Sequence, residues 1–222
     1  MASAPAYSSS PPDTASIAET LAALNARPRR DHEAHFFYHD TSLRCAAVKV
    51  LPGEYFVHDE DIALVTVLGS CISACIWDRE RRVGGMNHFM LPEGSSGDDG
   101  GRYGAYAMEL LINELLKRGA RKSTMQAKLV GGGAVVQSFT TMNVGERNTQ
   151  FAVDFLRTEN IAVVSKDVLD TCARKVCFFP ASGRAMVKKL ASMQGSDVVR
   201  EESRYRSEIA KPAAVSGSVE LF

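Results

Sequence analysis

A chain of 222 residues, 45% hydrophobic and 23% charged, can build one globular core of ordinary size with tails attached. Its 26 basic and 26 acidic residues cancel to a formal net charge of +0. That balance lacks the basic excess of a nucleic-acid binder and the charge run of an acidic tail, so no nucleic-acid partner is expected. No run approaches the roughly 18 apolar residues of a membrane span, so no direct membrane insertion is expected either. The opening MASAPAYSSSPPDTAS carries no basic stretch followed by an apolar segment, so no secretory signal is read there. Five cysteines, an odd number at irregular spacings, fit a reducing compartment better than a disulfide framework. The expected location is cytoplasmic.

In chain order, residues 1–30 are rich in Ala, Ser and Pro and read as a disordered tail. The amphipathic SIAETLAALNA inside them, at about eleven residues, makes a marginal helix alone. β-rich runs follow at Ala46–Leu51, Tyr55–His58, Ile62–Leu68, Ile72–Trp77 and Val83–Leu91. Pro92–Gly101 has loop composition. Tyr103–Arg118 reads as a helix, with Tyr103, Ala107, Leu110, Leu111 and Leu115 on one stripe and Gly119 as its stop. Lys128–Val130 is a short strand running into Gly131, Gly132 and Gly133, and Arg147–Thr158 is a second helix. Strands are expected again at Ile161–Ser165, Arg174–Phe179 and Arg184–Leu190. From Gly195 the composition reads as a flexible tail over 195–222, whose last residues, VELF, suit a docking peptide less well than a plain terminus. The expected fold is α/β: a mixed, largely antiparallel sheet or sheets with two main covering helices, filling residues 31–194.

The chemistry concentrates in two neighbouring runs. An apolar strand, Val65–Leu68, leads into Gly69 and Ser70 and then Cys71. Gly permits a tight bend and close approach of another group, so the thiol can be presented at a cleft. The next run, Val83–Pro92, carries one His, His88. If Cys71 begins one strand and His88 lies near the end of its antiparallel neighbour, the two can face each other. An imidazole beside a thiol lowers its pKa, and the thiolate attacks carbonyl carbon. Taken alone, the pattern also fits a small buried Cys and an ordinary hydrogen-bonded His. Cys71, Cys75 and His88 raise a zinc-ligand reading, but no paired ligand motif accompanies them, so no metal is expected. Cys172 and Cys177 read as structural thiols. Gly131–Gly133 is not followed by Lys-Ser/Thr, which removes a P-loop reading and leaves a structural turn or a cleft wall.

Several ordered motifs together resemble the CheD family of chemoreceptor glutamine deamidases. They are LGSC at 68–71, GGMNHFMLP at 84–92, RYGAYAM at 102–108, KLVGGGA at 128–134, VGERN at 144–148 and RKVCFFPASGRAMVKK at 174–189. The resemblance runs from Leu43 to Leu190. It implies an α/β sandwich similar to the toxin-type glutamine deamidases. It also implies a protein-glutamine deamidase that needs no cofactor, with Cys71 as nucleophile and His88 as general acid and base. The Thr that completes the family's set falls on Thr66. The plain alternative for Thr66 is a strand former chosen for its branched shape; Ser70 is the next candidate for a supporting hydroxyl. Gly69, Ser70, Asn87, Gly131 and Gly132 are placed on the substrate or oxyanion side of the site. The implied substrates are glutamines on chemoreceptor cytoplasmic helices, and some members also bind a CheC-type phosphatase. Where the family is usually Gly-rich before its last motif, this chain reads DVLDTCAR at 167–174. Two competing readings stay in view: a non-catalytic receptor-binding regulator, and an amidase of small molecules.

Overall fold

The computed structural model describes residues 14–91, 98–135 and 144–209. Among the described residues, ten strands form two five-stranded sheets. In chain order they are β1 (Phe36–Asp40), β2 (Cys45–Lys49), β3 (Tyr55–His58), β4 (Ala63–Leu68), β5 (Ile72–Asp78) and β6 (Val83–Asn87), then β7 (Met125–Gly131), β8 (Ala162–Val168), β9 (Arg174–Phe179) and β10 (Arg184–Lys189). The helices are α1 (Thr14–Ala26), α2 (Asp98–Lys117), α3 (Val144–Thr158) and α4 (Ser192–Ile209). The first sheet has the order β1-β2-β4-β9-β10 and the second β3-β6-β5-β7-β8. Only β2/β4 and β7/β8 pair in parallel among these strands. The expected mixed, largely antiparallel α/β sandwich is what the chain forms. No helix of the described residues is long and apolar enough to cross a membrane.

Strand periodicity explains the layering. Successive side chains on a strand point to opposite faces. On β5, Ile72, Ala74 and Ile76 enter the core that also holds Met108, Leu111 and Leu115 of α2 and Ala152 and Leu156 of α3. Cys75 and Trp77, together with Cys71 just before the strand, enter the other core, between the two sheets, with Leu64, Leu68, Val176 and Phe178 of the first sheet. A strand buried on both faces reads as a continuous apolar run, and β5 is buried at every position. All five cysteines are free thiols.

Two terminal expectations differ from the structure. Within the stretch expected as an N-terminal tail, α1 forms, and Ile17 and Leu24 are buried in the inter-sheet core with Val48 and Phe56. The helix is too short to persist alone; tertiary burial of its apolar stripe holds it. Beyond Gly195, where a flexible tail was expected, the chain continues as α4 to Ile209, with Val198 and Glu202 buried. Other differences are local. Strand β1 was not expected, and β7 is longer than the sequence suggested. Helix α2 starts inside the expected loop, at Asp98; the rest of that loop, 92–97, lies outside the described residues, as do 1–13 and the VELF terminus.

If α1 is an integral layer, truncating its buried leucine opens a cavity in the inter-sheet core. Leu24→Ala is expected to lower the unfolding free energy by about 2–3 kcal/mol, at the low end for buried leucines because the helix lies at the margin. Urea denaturation measures this. A loss below about 0.5 kcal/mol, the range of ordinary surface changes, would return α1 to the status of a tail.

Candidate active site

The site begins with a topological fact. Strand β4 belongs to the first sheet and β5 to the second, so the three residues between them, Gly69, Ser70 and Cys71, carry the chain across the sandwich. Their peptide groups are outside the strand ladders and must find other partners. All three carbonyls are taken from one side. Gly133 N–H donates to Gly69 O at 2.7 Å, and Gly132 N–H donates to Cys71 O at 2.7 Å. The Asn148 amide of α3 donates to Ser70 O at 2.8 Å while its own carbonyl oxygen accepts from Leu91 N–H at 2.8 Å. With the carbonyls pinned, the three N–H groups face the other way, into the site.

That orientation depends on the glycine run. Gly131 and Gly132 both have positive φ, 114° and 66°, where side chains are disfavoured. A Cβ on Gly132 would lie 2.3 Å from Thr149 Oγ1 and 2.8 Å from Gly145 O, and one on Gly131 would lie 2.3 Å from Cys71 O. Gly131 and Gly132 therefore brace the Cys71 turn from behind and do not line its mouth. The segment expected to be unusual, 167–174, supports this brace. Leu169 N–H donates to Gly131 O and Ala134 N–H to Asp170 O. Leu169 and Asp170 themselves sit at φ 67° and 75°, each a strain of roughly 1 kcal/mol for a non-glycine residue. Buried Arg174 offsets that strain by donating to Leu169 O, Cys172 O and the Asp167 carboxylate.

His88 lies one residue past the end of β6, which pairs with β5. Its backbone is locked by His88 N–H to Glu54 O at 2.9 Å and Gly53 N–H to His88 O at 2.8 Å. Alternation sends His88 and Asn87 to opposite faces. Asn87 faces the helices, where its oxygen accepts from Ala74 N–H at 2.9 Å and its amide donates to Ala107 O at 3.1 Å. The structure thus does not bring Asn87 into the site. The His88 ring enters the space between the sheets and meets Thr66 of β4 on the inner face of the first sheet.

The Thr66 contact defines a tautomer. Thr66 Oγ1 donates its one proton to Val50 O at 2.8 Å. Towards His88 Nδ1, at 2.9 Å, the same oxygen can then only accept, so Nδ1 carries the proton. Nε2 is left with its lone pair, and it is buried without a hydrogen-bond partner among the described residues. Cys71 and His88 are both essentially fully buried. Cys75, by contrast, is not part of the group: its sulfur neighbours Ser73, and burial pushes its thiol up to about 12. The zinc set of Cys71, Cys75 and His88 is therefore not assembled.

The residue that sequence reasoning missed is Glu202 of α4. One carboxylate oxygen accepts from Gly69 N–H at 2.7 Å and Cys71 N–H at 3.0 Å; the other accepts from Ser70 N–H and Ser70 Oγ, both at 2.8 Å. Among the described residues, Cys71, His88 and Glu202 are the one group of three metal-type side chains within reach of each other, their atoms lying within 4.8 Å. Burial pushes the Cys71 thiol well above its ordinary value, and the neighbouring Glu202 charge and hydrogen bond push the same way. Burial also pushes the His88 imidazole down, against the pull of Glu202. Thiol and imidazole are both neutral in this state. Asn148 had a sequence signal, as the last residue of VGERN; Glu202 had none.

The chain matches the family model described as CheD chemotactic sensory transduction over residues 90–189. A protein of Albidiferax ferrireducens named probable chemoreceptor glutamine deamidase CheD 1 is 60% identical over 199 residues, covering 90% of this chain and 85% of the relative. Proteins of Thiobacillus denitrificans and Methylobacillus flagellatus, each named probable chemoreceptor glutamine deamidase CheD, are 53% and 49% identical, covering 83% and 89% of this chain and 94% and 100% of their own lengths. A solved Neisseria meningitidis structure assigned to DUF152 is 15% identical, covers 53% of this chain and 54% of its own, and has a TM-score of 0.36. At these identities to the three relatives, over nearly the whole length of both partners, the chain belongs to the CheD family.

Proposed function

We propose that this protein hydrolyses glutamine side chains of chemoreceptor cytoplasmic helices to glutamate, with Cys71 as nucleophile, His88 as general base and acid, and Thr66 holding the imidazole. The catalytic unit in this reading is residues 31–194. The substrate class follows from the names of the 60% and 53% identical relatives. The observation that carries the mechanism is the chain Val50 O, Thr66 Oγ1, His88 Nδ1. It holds the proton on Nδ1 and keeps Nε2 as the free base available to the Cys71 thiol, the part a carboxylate or amide plays in other triads.

The steps balance as an amide hydrolysis. His88 Nε2 takes the Cys71 proton, and the sulfur attacks the glutamine side-chain carbonyl carbon. The carbonyl oxygen becomes an oxyanion. Gly69 N–H and Cys71 N–H converge on a single oxygen of Glu202 at 2.7 and 3.0 Å, the spacing a developing oxyanion needs. As the tetrahedral adduct collapses, imidazolium gives its proton to the nitrogen, which leaves as ammonia. A thioester remains. Water, deprotonated by His88, attacks it and releases glutamate and the thiol. The pinned carbonyls of Gly69, Ser70 and Cys71 keep the donors from reorganising during these changes.

Cys71→Ala is expected to abolish the conversion of receptor glutamine, read by mass spectrometry of a receptor fragment, with the fold retained by circular dichroism. Cys75→Ala is expected to stay active; dependence on Cys75 and not on Cys71 would overturn the assignment. For Thr66, Val keeps the branched shape and removes the hydroxyl, while Ser keeps the hydroxyl. Thr66→Val is expected to lower kcat by about 10- to 100-fold, within the range of acid–base contributions, and Thr66→Ser to retain most of it. An active Val variant with an impaired Ser variant would make Thr66 a packing residue only.

A further inference from the structure

We infer that the seat of helix α4 is the surface on which a glutamine-bearing substrate helix docks, and that α4 occupies it in cis as a product analogue, with Glu202 standing where the newly formed glutamate would lie. The inference rests on the deamidase reading above and extends it to the pose of the substrate and to self-inhibition.

Four observations converge. Glu202 has the side chain that deamidation of glutamine creates, and it is presented from a helix, as the proposed substrates are. Its carboxylate takes all three N–H groups of the Gly69–Cys71 turn together with Ser70 Oγ, so no second carboxyl or amide can enter while it is there. It lies with the Cys71 sulfur and an imidazole nitrogen inside a 4.8 Å cluster, where a substrate carbon must come. The helix is also anchored one turn on: the Tyr205 hydroxyl is hydrogen-bonded to that of Tyr103, and its ring lies against Gly53, with atoms 3.0–3.3 Å from where a Cβ would be. Gly53 is the residue whose N–H holds the His88 carbonyl, so α4 touches both halves of the catalytic pair.

The attachment is suited to exchange. Helix α4 begins at Ser192, directly after β10 ends at Lys189, so a short tether gives it a high effective concentration at the site. Its polar residues Ser203, Arg204 and Ser207 are exposed, while Val198 and Glu202 are buried and Tyr205 packs against the inter-sheet core. A substrate glutamine that offers its carbonyl oxygen to the Gly69 and Cys71 N–H groups competes with Glu202 for the same two donors. Release of α4 also removes the negative charge and part of the burial that keep the Cys71 thiol protonated, so the nucleophile becomes reactive when the site opens.

The test uses the full chain and two variants. Glu202→Ala removes the carboxylate. Alkylation of Cys71 by iodoacetamide, located by peptide mass, is expected to accelerate by about tenfold or more, since each unit of thiol pKa is worth about tenfold in thiolate. Deamidation of a chemoreceptor cytoplasmic fragment is expected to rise with it. Unchanged alkylation would overturn the inference, and so would faster alkylation with slower deamidation, which would make Glu202 a working part of the reaction. Faster alkylation with no deamidation by either protein would uphold the seat of α4 and overturn the deamidase reading instead. Glu202→Gln keeps the shape and turns the analogue back into a substrate. Water supplies the oxygen and ammonia leaves, so peptide mass is expected to show the introduced amide at position 202 converted to the carboxylate. That conversion is expected to stop when Cys71→Ala is added. An amide that persists at position 202 in a protein active on the receptor fragment would overturn the product-like pose.

Discussion

The structure depends on how a sheet-crossing turn satisfies its peptide groups. Gly69, Ser70 and Cys71 leave one sheet and enter the other, and in that passage they have no ladder partners. Unpaired buried peptide groups each cost on the order of 1–3 kcal/mol, so the surrounding fold must supply partners. It supplies them asymmetrically: Gly132, Gly133 and Asn148 take the carbonyls, and the N–H groups are left for whatever anion enters the site. The proposed nucleophile and the anion-binding donors thereby lie in the same three residues, and the cost of orienting them is met during folding.

The same constraint explains why a carboxylate can be buried beside a neutral Cys and a neutral His. Taking a charge out of water is expensive unless hydrogen bonds replace the lost hydration. Glu202 receives four, each charge-assisted and worth roughly 1.5–3 kcal/mol. Its seat is complementary to a glutamate side chain in donor pattern, and in the proposed reaction the same donors would meet both the product and the oxyanion. The Glu202 charge, supplied by the chain itself, also helps to keep the Cys71 thiol protonated.

Alternation along strands assigns the remaining parts. Positions of one parity on β5 and β6 enter the inter-sheet core, giving Cys71, Cys75, Trp77, Met86 and His88 one face; the other parity gives Ile72, Ala74, Ile76 and Asn87 to the helices. Thr66 meets His88 because β4 lies in the facing sheet with Leu64 and Leu68 on the same inner face. Two side chains 22 positions apart are joined by the thickness of a sandwich, which is why a hydroxyl from one sheet can define the tautomer of a ring on the other.

Local signals in the sequence carried a good part of this. The apolar strand running into Gly69-Ser70-Cys71, with His88 on the following strand, pointed to the pair, and the motifs between Leu43 and Leu190 pointed to the family. Both are contiguous stretches, and strand periodicity is local. What lay beyond reach was set by partners distant in sequence. Asn87 reads as a neighbour of His88, yet the pleat turns it to Ala107. Gly131 and Gly132 read as cleft wall, yet their positive φ serves the Cys71 turn from behind. Ile17 and Leu24 look like part of a weak isolated helix because propensity and length say so, and only burial against the first sheet makes that helix a layer. Glu202 is the clearest case: a glutamate in a polar segment has no pattern to mark it, because its place is decided by three backbone N–H groups more than 130 residues away. Backbone groups are the same in every residue, so their direction exists only once the tertiary structure has turned them.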